Sequence, residues 1–156
     1  MAGEECTDVM LHNYYEKLTC TLPTGTGSVV PVIVYTKVAL SETLESNPKM
    51  LLGYAQPQVT LVAHTECLSS ISGGSIYSCP RDGGGTLTIF GTNFGADDAL
   101  VLIGGELCSN LAHDEDTPHS RVTCTLPLGT AANAEVVFIQ SGGAIAPITN
   151  SSITVK

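Results

Sequence analysis

The stretch KLTCTLPTGTG, Lys17 to Gly27, returns about a hundred positions later as RVTCTLPLGTA, Arg121 to Ala131. In a chain of 156 residues, a signature recurring at that distance implies two copies of one small module rather than one large domain. The correspondence extends to both sides: MAGEEC (Met1 to Cys6) aligns with IGGELC (Ile103 to Cys108), and VVPVIVYT (Val29 to Thr36) falls where NAEVVFIQ (Asn133 to Gln140) does. The first copy therefore starts at the residue matching Ile103 and has no counterpart of residues 57–102. The sequence reads as residues 1–54, the later part of one module, followed by residues 55–156, a whole one, with GYAQP at Gly53 to Pro57 as the link.

The local pattern is that of β-structure. Val136 to Ile139 and Val32 to Tyr35 are short β-branched and aromatic runs bounded by Gly, Pro, Ser and Thr, and TLTIF at Thr86 to Phe90 alternates polar with apolar. Apolar residues at helical spacing are not sustained, although Val38 to Ser46 admits a helical turn. In the whole module the expected strands are Gln58 to Ala63, Thr86 to Phe90, Leu100 to Ile103, Arg121 to Leu126, Glu135 to Gln140 and Ser151 to Val155. That approaches the strand number of a two-sheet sandwich of about 100 residues. GGG before Thr86 and GTNFG after Phe90 mark turns open to positive φ. They do not make a phosphate loop, because no Lys-Ser/Thr follows.

CPRDGGGTLTIFGTNFG, followed by VLIGGELC and RVTCTLPLGT, resembles the IPT/TIG family of immunoglobulin-like domains. The resemblance covers residues 57–156 as one module and residues 1–54 as the later part of another. It implies an all-β fold of immunoglobulin-like β-sandwich modules in tandem, one complete and one lacking its N-terminal strands. Members of the family serve in receptor ectodomains, giant surface proteins, polysaccharide enzymes and Rel-type transcription factors, so the fold alone does not choose a function. The formal charge of −9 speaks against the DNA-reading branch and against anionic membranes. The absence of Trp removes the antibody branch, whose core Trp packs on the inter-sheet bridge.

Six cysteines fall as Cys6 with Cys20, Cys67 with Cys79 and Cys108 with Cys124, the first and third pairs at equivalent repeat positions. Six cysteines by themselves admit many connectivities; the resemblance implies local pairing, the same bridge made twice. Closing a loop of about 15 residues stabilises by roughly 3 kcal/mol in the chain-entropy description. Zinc is the competing use, but C-x-x-C spacing is missing and the four histidines are not placed as co-ligands. Three disulfides imply an oxidising, extracellular or cell-surface setting. No apolar run is long enough for a transmembrane helix, and the N-terminus lacks a signal-peptide pattern, so a mature or excised soluble piece is expected.

Candidate chemistry is sparse. HDEDTPHS at His113 to Ser120 gathers three carboxylates and two histidines, but without EF-hand spacing, and reads as a solvated loop tip before it reads as a cation site. No Gly-x-Ser-x-Gly elbow exists, and His64 and Ser75 stand apart, so neither an enzyme nor a cofactor site is expected. Asn150 in NSS is an N-x-Ser/Thr acceptor for a glycan. Hydrophobic residues form 43% of the chain and charged ones 13%, roughly half the usual share. Neighbouring modules or sugars must therefore cover part of the surface.

These features point to a structural module of an extracellular, disulfide-bonded protein that builds a fibril, stalk or surface appendage, its partners being neighbouring copies or modules that complete the open one. The residues expected to matter are the six cysteines, the junction Tyr54, Ala55, Gln56 and Pro57, and Asn150. A receptor or adhesin fragment that binds a protein or glycan through loops such as His113 to Ser120 is the alternative, and an accessory domain of a polysaccharide-acting enzyme is a third.

Overall fold

The computed structural model describes residues 4–39, 42–69, 74–129, 133–141, 145 and 152–155. The described residues of the N-terminal segment hold six short strands in three separate ladders: β1 (Thr7–His12) with β2 (Lys17–Thr21), β3 (Val30–Val32) with β6 (Lys49–Leu52), and β4 (Tyr35–Ala39) with β5 (Glu42–Glu45). The helical turn expected within Val38 to Ser46 is therefore corrected to a hairpin, in which Tyr35 faces Glu45 and Lys37 faces Thr43. β-branched Val38 and Thr43 suit extended backbone better than a helix too short to nucleate. The run Val32 to Tyr35, expected to be one strand, is instead interrupted at Ile33 and Val34, so that Val32 ends β3 and Tyr35 opens β4.

Among the described residues ten strands follow: β7 (Gln58–His64), β8 (Leu68–Ser69), β9 (Ile76–Cys79), β10 (Gly84–Thr92), β11 (Leu100–Ile103), β12 (Glu106–Leu107), β13 (Ser109–His113), β14 (Arg121–Leu126), β15 (Ala134–Ile139) and β16 (Ser152–Val155). They form a four-stranded sheet, β13-β14-β10-β7, and a six-stranded one, β12-β11-β15-β16-β9-β8. This is the immunoglobulin-like two-sheet arrangement expected.

Alternation decides what lies between the sheets. Leu87 and Ile89 of β10, Val122, Cys124 and Leu126 of β14, Val101 and Ile103 of β11, and Ala134, Val136 and Phe138 of β15 are all buried at every second position. Strand β7 breaks the period, with Val59 and Val62 both inward. A register shift explains this: Phe90 faces Leu61 while Gly91 faces Val59, so Thr60 is the extra residue of a bulge. Glycine is required at position 91, because a Cβ there would run into the Gln58 carbonyl oxygen and the Phe94 ring.

The buried apolar cluster runs from Val59 to Ile153, and among the described residues none of its members comes from residues 4–54. Disulfides join Cys6 to Cys20, Cys67 to Cys79 and Cys108 to Cys124. Cys108 and Cys124 are buried in the core, whereas Cys20 is exposed. A thiol reductant reaches sulfur only where solvent does. Mild reduction without denaturant, followed by alkylation and mass mapping, is therefore expected to label Cys6 and Cys20 first and Cys108 and Cys124 last.

A bare copy of a covered hairpin

The recurring sequence is also a recurring structure. In β1–β2, Thr7 faces Thr21, Met10 faces Thr19 and Leu11 faces Leu18. In β13–β14, the equivalent residues pair in the same way: Ser109 with Thr125, Ala112 with Thr123 and His113 with Val122. Both hairpins carry a register shift after the first pair, and both place the equivalent residue in left-handed backbone, Asp8 at φ 52° and Asn110 at φ 54°. Each also carries its disulfide in the same place, Cys6–Cys20 and Cys108–Cys124. A second echo is the antiparallel pairing of β3 with β6, which matches β15 with β16.

The two copies differ in what covers them. Val122 and Leu126 are 0% and 3% exposed, while their counterparts Leu18 and Leu22 are 45% and 50% exposed. Of the twenty-two large apolar side chains exposed among the described residues, fifteen lie between Val9 and Leu51. Water therefore touches the surface that a facing sheet occupies in the other copy. At the hairpin tip, Asn13, Tyr14 and Tyr15 all adopt positive φ, and both tyrosine rings stand out into solvent. Such backbone is costly for bulky residues and persists only where something holds it.

The junction residues expected from sequence meet a hydrogen-bonded clamp. The Tyr54 amide donates to the Gly27 carbonyl at 2.9 Å, and its hydroxyl donates to the Pro23 carbonyl at 3.0 Å. The Gln56 carbonyl accepts from Asn93 Nδ2 at 3.1 Å, Pro57 is buried, and Ala55 is exposed. Sequence reading missed the centre of the clamp, Gln140. It occupies the next inward position of the β15 alternation after Phe138, where a polar side chain needs partners. Its Nε2 donates to the Asn93 carbonyl at 2.6 Å and its Oε1 accepts from the Gly27 amide at 3.5 Å, while Thr26 and Ser141 hydroxyls meet at 2.9 Å. Gly27 is the only buried residue among those described in residues 4–54. Gly95, at φ 85°, lets Thr26 approach: a Cβ there would lie 2.9 Å from the Thr26 methyl. The signal for this site was available in two forms, an amide at an inward strand position and Asn93 in a Gly-x-Asn-Phe turn.

Replacing Gln140 by Leu keeps its bulk but leaves the Gly27 amide and Asn93 carbonyl unpaired, at an expected cost of about 1–3 kcal/mol. Chemical denaturation checks the cost, and faster hydrogen exchange at Gly27 checks its place.

In the acidic loop, the Asp114 carboxylate is taken up by partners within the chain. One carboxylate oxygen of Asp114 accepts from the Thr117 hydroxyl and amide, each at 2.9 Å, and from the Asp116 amide at 3.2 Å; the other meets Arg121 at 3.3 Å. His113 donates from Nδ1 to the Pro118 carbonyl at 2.9 Å. Among the described residues, no group of three or more His, Cys, Asp or Glu side chains is arranged to hold a metal. The Thr117 hydroxyl and then its amide, helped by Arg121 and the Asp116 amide, hold the Asp114 carboxyl below its ordinary value. The loop therefore keeps this cap above the ordinary Asp range and loses it as pH falls through the lowered value. An acid titration followed at the Thr117 amide should show its midpoint below that of an ordinary Asp, and Asp114→Asn should abolish that step.

His64 is a satisfied core histidine, with Nε2 donating to the Gly84 carbonyl at 3.0 Å and Nδ1 accepting from the Glu66 amide at 3.2 Å. Asn150 lies outside the described residues. No helix among the described residues is long and apolar enough to cross a membrane.

The IPT/TIG domain model matches residues 68–155. Among solved structures, the chain is similar to SGBP-B from a complex xyloglucan utilization locus in Bacteroides uniformis, at 17% identity and a TM-score of 0.42. That similarity covers 92% of this chain and 34% of the other, so this chain spans about a third of that structure's length. No curated protein matches the sequence.

Proposed function

This chain belongs to the IPT/TIG domain family, and from that premise we propose that it is a structural module pair of an extracellular fibril, stalk or surface appendage, in which neighbouring polypeptide completes the open module. Residues 1–54 are the later part of one module and residues 55–156 a whole one, joined at Tyr54 to Pro57. The observation that carries this reading is the bare hairpin: Leu18 and Leu22 are half exposed where Val122 and Leu126 are sealed. Fifteen exposed large apolar side chains on so short a segment amount to a surface that soluble monomers seldom leave uncovered.

The three disulfides support an oxidising, extracellular location, where small modules with limited cores are commonly cross-linked. Immunoglobulin-like modules of this kind are generally non-catalytic, and the reading needs no chemical step. In such an array each module contacts mainly its neighbours, so length comes from repetition and stiffness from the joints. The clamp of Tyr54, Gln140 and Asn93 fits that role. A glycan on Asn150 would add cover.

Negative-stain electron microscopy of native, unreduced material, before and after a reductant, tests the proposal. Regular filaments or stalks that thin or break on reduction support it. Dispersed particles count against assembly and favour a receptor or adhesin fragment.

A further inference from the structure

We infer that the outer edge of β2, Lys17–Thr21, receives an antiparallel strand donated by a neighbouring polypeptide, a strand of the β10 type in which threonine alternates with large apolar residues. This rests on the completion reading above and names the edge, the register and the chemistry of the occupant.

The chain contains its own template. In the covered copy, β14 has β13 on one side and β10 on the other, with Thr86 facing Thr125, Leu87 facing Cys124, Thr88 facing Thr123, Ile89 facing Val122 and Phe90 facing Arg121. In the bare copy, β1 takes the place of β13, and among the described residues β1 and β2 make a two-stranded sheet with nothing in the place of β10. Because the two hairpins share register, the occupant's apolar residues fall opposite Cys20 and Leu18, its threonines opposite Thr21 and Thr19, and its aromatic opposite Lys17. The matching ring in the covered copy, Phe90, lies 5.8 Å from the Arg121 guanidinium, so a cation faces an aromatic in both.

A second observation separates the two edges of the hairpin. Strand β1 is blunted by its bulge and by Asp8 in left-handed backbone, the devices that keep a true edge from pairing, and β13, the edge strand of its sheet, carries the same pair of features. Strand β2 has neither bulge nor proline and pairs in regular register from Leu18 to Thr19. An unblunted edge with an apolar face is the geometry of strand addition. Strand β10 of this chain is not itself the donor, because it is engaged on both sides, by β14 and β7.

The test uses the intact, disulfide-bonded chain and, as probe, a synthetic peptide of residues 83–93, the β10 sequence. Saturating peptide is expected to slow amide exchange across Lys17–Thr21 about tenfold or more. A peptide carrying Asp in place of both Leu87 and Ile89 is expected to bind about a hundredfold more weakly. Absence of slowing at β2, slowing confined to Lys49–Leu52, or equal binding of the Asp peptide would each overturn the assignment. Filaments by microscopy with β2 unprotected by the peptide would leave the completion reading standing and remove this edge from it. Dispersed native particles with β2 protected would do the reverse.

Discussion

Truncating Phe138 to Ala is expected to cost about 3–5 kcal/mol of unfolding free energy, the range for emptying an aromatic site in a packed core. The ring is fully buried, is the last inward residue of β15, and stacks on Phe94 with centroids 4.2 Å apart. Phe94 belongs to the turn that also carries Asn93, so the cavity opens directly beneath the clamp. Small domains hold roughly 5–15 kcal/mol in total, and each kcal/mol moves the melting temperature of a 100-residue domain by about 4–8 °C. The variant should therefore melt far below the parent in a calorimeter or by circular dichroism. Phe138→Leu, which refills much of the volume, should recover a large part of the loss. A truncation that cost under about 1 kcal/mol would mean that this stacked pair does not organise the core.

The second large effect separates two bridges that the sequence makes look alike. Replacing Cys108 and Cys124 together by Ala is expected to cost about 2–5 kcal/mol, as removal of a native disulfide from a small domain does. Replacing Cys6 and Cys20 should leave the main melting transition nearly where it was. The difference follows from position. Cys108 stands where the chain passes from β12 in one sheet to β13 in the other, and its bridge to Cys124 ties that crossing to β14 inside the core. Cys6 and Cys20 close an equivalent hairpin that has no core over it among the described residues. Comparing the melting curves of the two double variants checks this. Equal shifts would show that residues 4–54 fold in one cooperative unit with the rest.

Much of this architecture was legible because the sequence states it twice. The alternation in TLTIF and RVTCTL placed the inward faces of β10 and β14, and the observed strands fall on all six runs expected in the larger segment. Strands β8, β9, β12 and β13 went unread: two are only two residues long, and the others interrupt their own periodicity with Ser78 and Asn110 in left-handed backbone. The run Val32 to Tyr35 looked like a strand on propensity, but among the described residues no facing sheet holds it straight, and it breaks into parts of two ladders. Tyr54 to Pro57 stands out in the sequence as a Pro-containing stretch, whereas Gln140 acquires meaning only once Asn93 and Gly27 are brought to it from far along the chain.

The position of β16 determines how the larger segment would answer to pulling. Ile153 lies between Ala134 of β15, which runs against it, and Ile76 of β9, which runs alongside. A force drawn along β16 must slide it past both neighbours at once, breaking hydrogen bonds in shear together rather than peeling them one by one. From β9 the route to the junction is partly covalent, since Cys79 is bonded to Cys67, just beyond the end of β7, and β7 begins next to the buried Pro57. Tension entering at one end of the sandwich thus leaves at the other through a sheet centre and a sulfur bond, so the segment would behave under load more like a link in a chain than like a bead on a thread.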